Sequence, residues 1–347
     1  MSRWDIRIEQ IRKERGLAGL SVALTNRERV VYARGFGCES VERPQVACTA
    51  HSLYRVASIT KVITCLTVMR AVERGQLSLD RPIVDDLPAL ALSDPDATAR
   101  LTLRHLLSHT AGLPAEYTPD GPREESALAQ SLYSALPTLP LGGLPGEADF
   151  LYSNWGFRLA ALVLEAVTGE PYSTLARRDV LVPLGMREST FDIREAITYP
   201  VALPHERDGA GELRVLHYMK ENAARLSAGG LYSNVTDLCA LARLLLNAGK
   251  NDAGERVVTP ESLAEMMTPH AKMGEGDQYG LALRIHPFEG HTLIGHLGSA
   301  PPYAGALWVD PASGFGLVVE MNTEDKALRV ELPELLFADI FAGKGDF

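Results

Sequence analysis

The sequence predicts an α/β (α+β) fold: an antiparallel sheet flanked by helices, with an inserted all-helical domain. Three observations predict it. Two runs near the amino terminus, 20–25 and 30–35, read as strands joined by a polar turn at Asn26-Arg27. Four more runs in the carboxyl third, 279–285, 291–296, 303–309 and 316–321, alternate or stay apolar and are rich in β-branched and aromatic residues. Between these groups the patterns are mostly helical and are broken by Pro/Gly clusters such as Pro140-Leu141-Gly142-Gly143-Leu144-Pro145-Gly146. Sheet at both ends with helices between assigns 1–80 together with 226–347 to an α/β domain and 81–225 to a mainly helical one. Ligands favour such junctions.

Each element has a local reason. Residues 1–11 alternate charged and apolar positions at helical spacing, which predicts an amphipathic surface helix. The helix predicted over 58–74 has an apolar body from Val62 to Met69, so it is buried, and Gly75 ends it. Helical patterns follow at 103–108, 125–136 and 154–167, and one over 327–341 closes the chain.

Composition narrows the function classes. With 46% hydrophobic and 22% charged residues, the chain has the make-up of an ordinary globular protein, which excludes extensive disorder. A net charge of −10 and the absence of a dense Lys/Arg patch argue against nucleic acid as a partner. No run reaches the roughly 20 apolar residues of a membrane span. No export-type segment is seen, so a cytoplasmic location is expected. Cys38, Cys48, Cys65 and Cys239 form no C-x-x-C pair and are expected to be buried free thiols. A small molecule is the expected partner; no cofactor or metal is expected, and the oligomeric state stays open.

Chemistry enters at Ala57-Ser58-Ile59-Thr60-Lys61. A serine hydroxyl holds its proton too tightly to attack at neutral pH, and it needs a base within hydrogen-bond reach. Lys61, three residues on, shares a helical face with Ser58. The positive end of the helix dipole favours both a neutral amine and negative charge on a reacting oxygen. The same pair also reads as an N-cap serine with a first-turn lysine. Two more segments favour the first reading: Tyr152-Ser153-Asn154 before a helical run, and His296-Leu297-Gly298 at a strand end.

In this order and spacing the three segments resemble those of the penicillin-recognising serine hydrolases. The resemblance is to the branch shared by class C β-lactamases, D-stereospecific peptidases and β-lactamase-like carboxylesterases. It runs almost end to end, with further support from the stretch Leu106 to Leu113, from Pro145-Gly146 with Phe150, and from the stretch Ser227 to Leu231. It implies that Ser58 carries the acyl group while Lys61 and Tyr152 share its proton, a lysine cation lowering the phenol. It also implies that Asn154 orients Lys61 and binds a substrate carbonyl, and that the backbone N–H groups of Ser58 and Ser299 form an oxyanion hole. Gly298 is expected to let substrate backbone lie along the strand.

One position departs from the pattern. Where β-lactamases and transpeptidases carry lysine, this chain has His296, mostly neutral at pH 7 with an ordinary pKa of about 6.5. The expectation is therefore an esterase or amidase acting on a small or uncharged acyl substrate, with little β-lactamase activity. A D-amino-acid peptidase or amidase, or a weak β-lactamase, is the alternative; an acylatable penicillin-binding sensor is the non-enzymatic one. Tyr232-Ser233-Asn234 repeats the second motif, but Asn234 as N-cap with Asp237 in the first turn explains it structurally. His105 and His109 have metal-ligand spacing on a predicted helix but lack the intervening glutamate, so packing and capping roles are expected.

Overall fold

The computed structural model describes residues 2–115, 121–124, 126–219, 221–274 and 276–344. An antiparallel sheet of eight strands organises it: β1 (Gly19–Thr25), β2 (Val30–Gly37), β3 (Ala271–Gly274), β4 (Asp277–Tyr279), β5 (Arg284–Phe288), β6 (His291–Ala300), β7 (Tyr303–Asp310) and β8 (Phe315–Met321). Their order is β2-β1-β8-β7-β6-β5-β4-β3, so the amino-terminal hairpin joins the carboxyl-terminal meander at β1 and β8. The register runs from Leu20 opposite Met321 to Thr25 opposite Gly316. Every residue of β1 is buried, which is why its sequence is almost continuously apolar.

Pleat alternation sends alternate residues to two cores. Leu20, Val22 and Leu24, with Leu317, Val319 and Met321, pack beneath α1 (Arg3–Glu14) and α7 (Leu328–Phe341) through Trp4, Ile8, Leu332 and Phe337. Ala23, Leu307 and Val318 face a second cluster containing α2 (Thr60–Glu73), α3 (Leu103–Leu107), α4 (Ala127–Ala135), α5 (Asn154–Thr168) and α6 (Val235–Leu246). Helix α2 is buried from Thr60 to Met69, so it has no polar face to lose.

Several expectations are corrected. The run 279–285 is not one strand, because the chain leaves the sheet after Tyr279. Gly280 N–H bonds Leu283 O, Ala282 has φ +60°, and Ala282 N–H bonds Leu107 O, so this corner docks on α3. Strand β3, four residues long with alternate residues exposed, lacks the β-branched and aromatic residues that mark a strand in sequence. The segment 81–225 also holds a short ribbon, His205–Arg207 with Leu213–Val215. Ser58 lies not in α2 but in the 3₁₀ turn Ala57–Ile59 before it. His109 lies beyond α3 with φ +61°, so it does not share a helix face with His105. The expected helix start at Glu125 falls outside the described residues. The four cysteines are free and buried. Among the described residues no helix is long and apolar enough to cross a membrane.

Candidate active site

The serine turn is pressed onto the sheet by two contacts. A Cβ at Gly298 would come within 2.6 Å of Val56 O, so glycine in β6 lets the Val56–Ala57 backbone lie flat against the strand. That face of Gly298 is occupied by the protein's own backbone rather than open to substrate. Val56 N–H bonds Leu231 O at 3.0 Å and ties the turn to the 226–231 segment. Ala57 is held at φ +50°, a conformation costly for a residue with a Cβ, directly before Ser58.

Lys61 is wholly buried, and its Nζ has three partners: Ser58 Oγ at 3.2 Å, Asn154 Oδ1 at 2.8 Å and Ala228 O at 2.7 Å. Two of these can only accept. A neutral amine donates its two hydrogens to Asn154 and Ala228 and leaves its lone pair for the Ser58 hydroxyl proton. Burial, followed by the charge of Arg225, holds Lys61 well below the usual lysine range, which favours that neutral form.

The Tyr152 phenol hydrogen-bonds Ser58, and Lys61 Nζ lies 5.0 Å from its ring centre. Burial pushes the phenol up to about 12, against smaller pulls from the Ser58 bond and from Arg329 and Arg284. The expected lowering by a lysine cation is not among the pulls on Tyr152, and burial disfavours the charge on Lys61. Tyr152 stays protonated.

His296 is buried, with its ring centre 6.2 Å from that of Tyr152. Its Nδ1 donates to Leu297 O at 2.6 Å, so Nε2 accepts from the Tyr279 hydroxyl at 3.0 Å. Burial and then Lys61 push it down to about 3, leaving a neutral ring. The Ser299 hydroxyl donates to Glu324 Oε1 at 3.0 Å. Strand β6 outruns its pairing with β5 after Gly295, which leaves the edge from 296 to 300 uncovered by β5. Ser58, Asn154, Arg225, Gly229, Ser299 and Ala300 line a cavity of about 50 Å³, which shares Arg225 and Ala300 with a neighbouring one of about 400 Å³.

The sequence missed three participants. Ala228 contributes only a carbonyl oxygen, which leaves no mark on residue type. Tyr279 was read as an ordinary strand residue. Arg329, on α7, donates to Gly298 O at 2.9 Å, and its charge reaches Tyr152. Nothing in its local pattern ties it to a motif 31 residues earlier. Tyr232 instead pairs in a short ribbon with Arg55 and donates to Glu221 Oε1 at 2.8 Å, while Asn234 Oδ1 caps α6 through Asp237 N–H at 2.8 Å. Among the described residues no group of three or more His, Cys, Asp or Glu side chains is arranged to hold a metal ion.

Comparison with known proteins gives this geometry a lineage. Residues 4–338 match the Beta-lactamase family. The chain is 28% identical over 331 residues to Penicillin-binding protein 4 of Amycolatopsis lactamdurans, covering 90% of this chain and 82% of that one. Its fold matches the octameric penicillin-binding protein homologue from Pyrococcus abyssi with a TM-score of 0.83 at 29% identity, over 98% of this chain and 77% of that one. It also matches D-amino acid amidase from Ochrobactrum anthropi SV3 with a TM-score of 0.80 over 98% of both chains, a likeness of fold at 23% identity. The chain belongs to the Beta-lactamase family and is a β-lactamase-related serine hydrolase.

Proposed function

We propose that the protein forms an acyl-enzyme at Ser58 and works as an esterase or amidase on small acyl substrates, with little or no β-lactamase activity. The observation that carries this reading is the bonding of Lys61 Nζ to Ser58, Asn154 and Ala228, which aims a neutral amine at the serine hydroxyl. Ser58 Oγ passes its proton to Lys61 and attacks the carbonyl carbon. The resulting oxyanion lies against the backbone N–H groups of Ser58 and Ser299. Tyr152 gives its proton to the departing oxygen or nitrogen and is reprotonated from Lys61. Water then enters, loses a proton along the same relay, and releases the acid and Ser58.

Two features support the substrate class. The cavity of about 50 Å³ at Ser58 favours a small group next to the carbonyl. The neutral His296 removes the cation that a substrate carboxylate would seek. Arg329 favours a second reading, a D-amino-acid peptide or amide, or a slowly turned-over β-lactam, because it brings a cation to Gly298 from another element. The likeness to a D-amino acid amidase supports including such amides.

The test is a panel of p-nitrophenyl esters, D-amino-acid amides and a chromogenic cephalosporin, assayed with wild type and Ser58→Ala. Short esters are expected to turn over fastest, with loss of about a thousandfold or more in the variant. Faster cleavage of the amides would favour the second reading. Release of a single equivalent of p-nitrophenol without steady state would favour a sensor.

A further inference from the structure

Tyr152 sits in a segment that is not part of a helix or strand, between 142–151 and α5, yet the proposed relay needs its hydroxyl fixed against Ser58. His109 supplies the fixing contacts. Its carbonyl oxygen accepts from Leu151 N–H at 2.9 Å, and its Nδ1 accepts from Ser153 N–H at 3.1 Å. The backbone is therefore held on both sides of Tyr152 by one residue. The imidazole also packs on the Tyr152 ring, with centroids 4.3 Å apart.

The neighbouring bonds extend the same template. Gly142 N–H bonds Gly112 O at 2.8 Å and Gly146 N–H bonds Thr110 O at 3.0 Å, so the 109–112 loop is laced to the segment leading to Tyr152. His109 holds φ +61°, a left-handed conformation that a β-substituted residue adopts at a cost, and in it both its carbonyl and its ring reach the same segment. Because Nδ1 accepts, the proton is on Nε2, and that buried nitrogen has no hydrogen-bond partner among the described residues. The His109 ring packs among the rings of Tyr279, Phe157 and Phe150, with centroids 4.9, 5.3 and 5.5 Å from its own. Burial, Lys61 and His296 all disfavour a second proton. Protonation would remove the acceptor from Ser153 and set a cation beside Lys61.

We propose that His109 is a positioning residue for the reaction: its carbonyl and imidazole clamp the backbone on either side of Tyr152 and fix the phenol against Ser58. It does not touch substrate. The inference rests on the proposed acyl-enzyme chemistry, since it assigns His109 a task only if Tyr152 moves a proton.

Two variants separate its functions. His109→Phe keeps a ring but removes the acceptor for Ser153 N–H. His109→Asn tolerates the left-handed backbone and places an amide oxygen near the position of Nδ1, but it removes the stacked ring. Each is assayed with p-nitrophenyl acetate per titrated active site, across pH, beside wild type and Ser58→Ala. For His109→Phe the expected result is a fall in kcat of about tenfold to a hundredfold with KM within about threefold, as for displacement of a catalytic group by an ångström or less. The pH profile of kcat/KM is expected to shift with it, and His109→Asn is expected to recover part of the loss. A purely structural role would lower Tm and the titratable fraction but leave kcat per site and the pH profile unchanged, and that result overturns the inference. If His109→Phe does not fold, His109→Gly, which keeps the left-handed backbone but removes both acceptor and ring, replaces it, and wild-type kcat per site and pH profile there overturn the inference equally. Activity surviving in Ser58→Ala would instead overturn the acyl-enzyme reading.

Discussion

At the scale of the residue, the central question is which group holds the proton at rest. Lys61 has two partners that only accept and one that can also give, an arrangement a neutral amine satisfies, and burial favours that neutral form. Activity is then lost as pH falls through the lowered pKa of Lys61, because protonation removes the base. At high pH kcat/KM is expected to hold to about pH 11, since Tyr152 ionises only near 12. A pH–rate profile checks this; an alkaline limb at the ordinary phenol value of about 10 would contradict it. Tyr152→Phe is expected to reduce kcat about a hundredfold or more, and Tyr232→Phe to leave it within about threefold. Equal losses would mean that the second Tyr-Ser-Asn triplet takes part. The grouping of Ser58, Lys61, Tyr152 and Asn154 was legible because acyl transfer demands particular side chains at motif spacing. Ala228 was not, because a backbone carbonyl is common to every residue type.

At the scale of the element, the site depends on how closely β6 and β7 let the serine turn approach. Gly298 stands opposite Gly305, and the buried carboxyl of Glu320 covers Gly305, lying where a Cβ would be only 2.3 Å from it. Neither Glu320 oxygen has a partner among the described residues, and burial holds its pKa well above the carboxylate range. The folded chain therefore keeps this acid protonated while the unfolded chain ionises it above about pH 4.3. Stability contributed by the neutral acid is complete below that pH and falls by about 1.4 kcal/mol per unit as pH rises toward the folded pKa. Thermal melts of Glu320→Gln should show a Tm advantage over wild type that grows from about pH 5 to 8; parallel curves would refute the assignment. The long apolar runs of β1, β7 and β8 were readable because both faces are buried. The corner between β4 and β5 was not, since it is set by Ala282 docking on Leu107 and not by any turn signature.

At the scale of the whole molecule, sequence reading found sheet at both ends and helices between, because hydrophobic period reports exposure. It could not report which distant surfaces share a core. One cluster links Val62 of α2, Leu106 of α3, Leu132 of α4, Leu162 of α5, Leu241 of α6 and Val318 of β8. With that core common to residues from 1–80, 81–225 and 226–347, unfolding is expected as one cooperative calorimetric transition. Two resolved transitions would show that the helical segment unfolds separately.

The account stands most directly on the covalent intermediate at Ser58. Intact-mass measurement during turnover of p-nitrophenyl acetate, followed by peptide mapping, should find one acetyl group on Ser58 while product release continues. Ser58→Ala should show neither adduct nor turnover above background. An unmodified Ser58 during steady turnover, or undiminished turnover in the alanine variant, would contradict it.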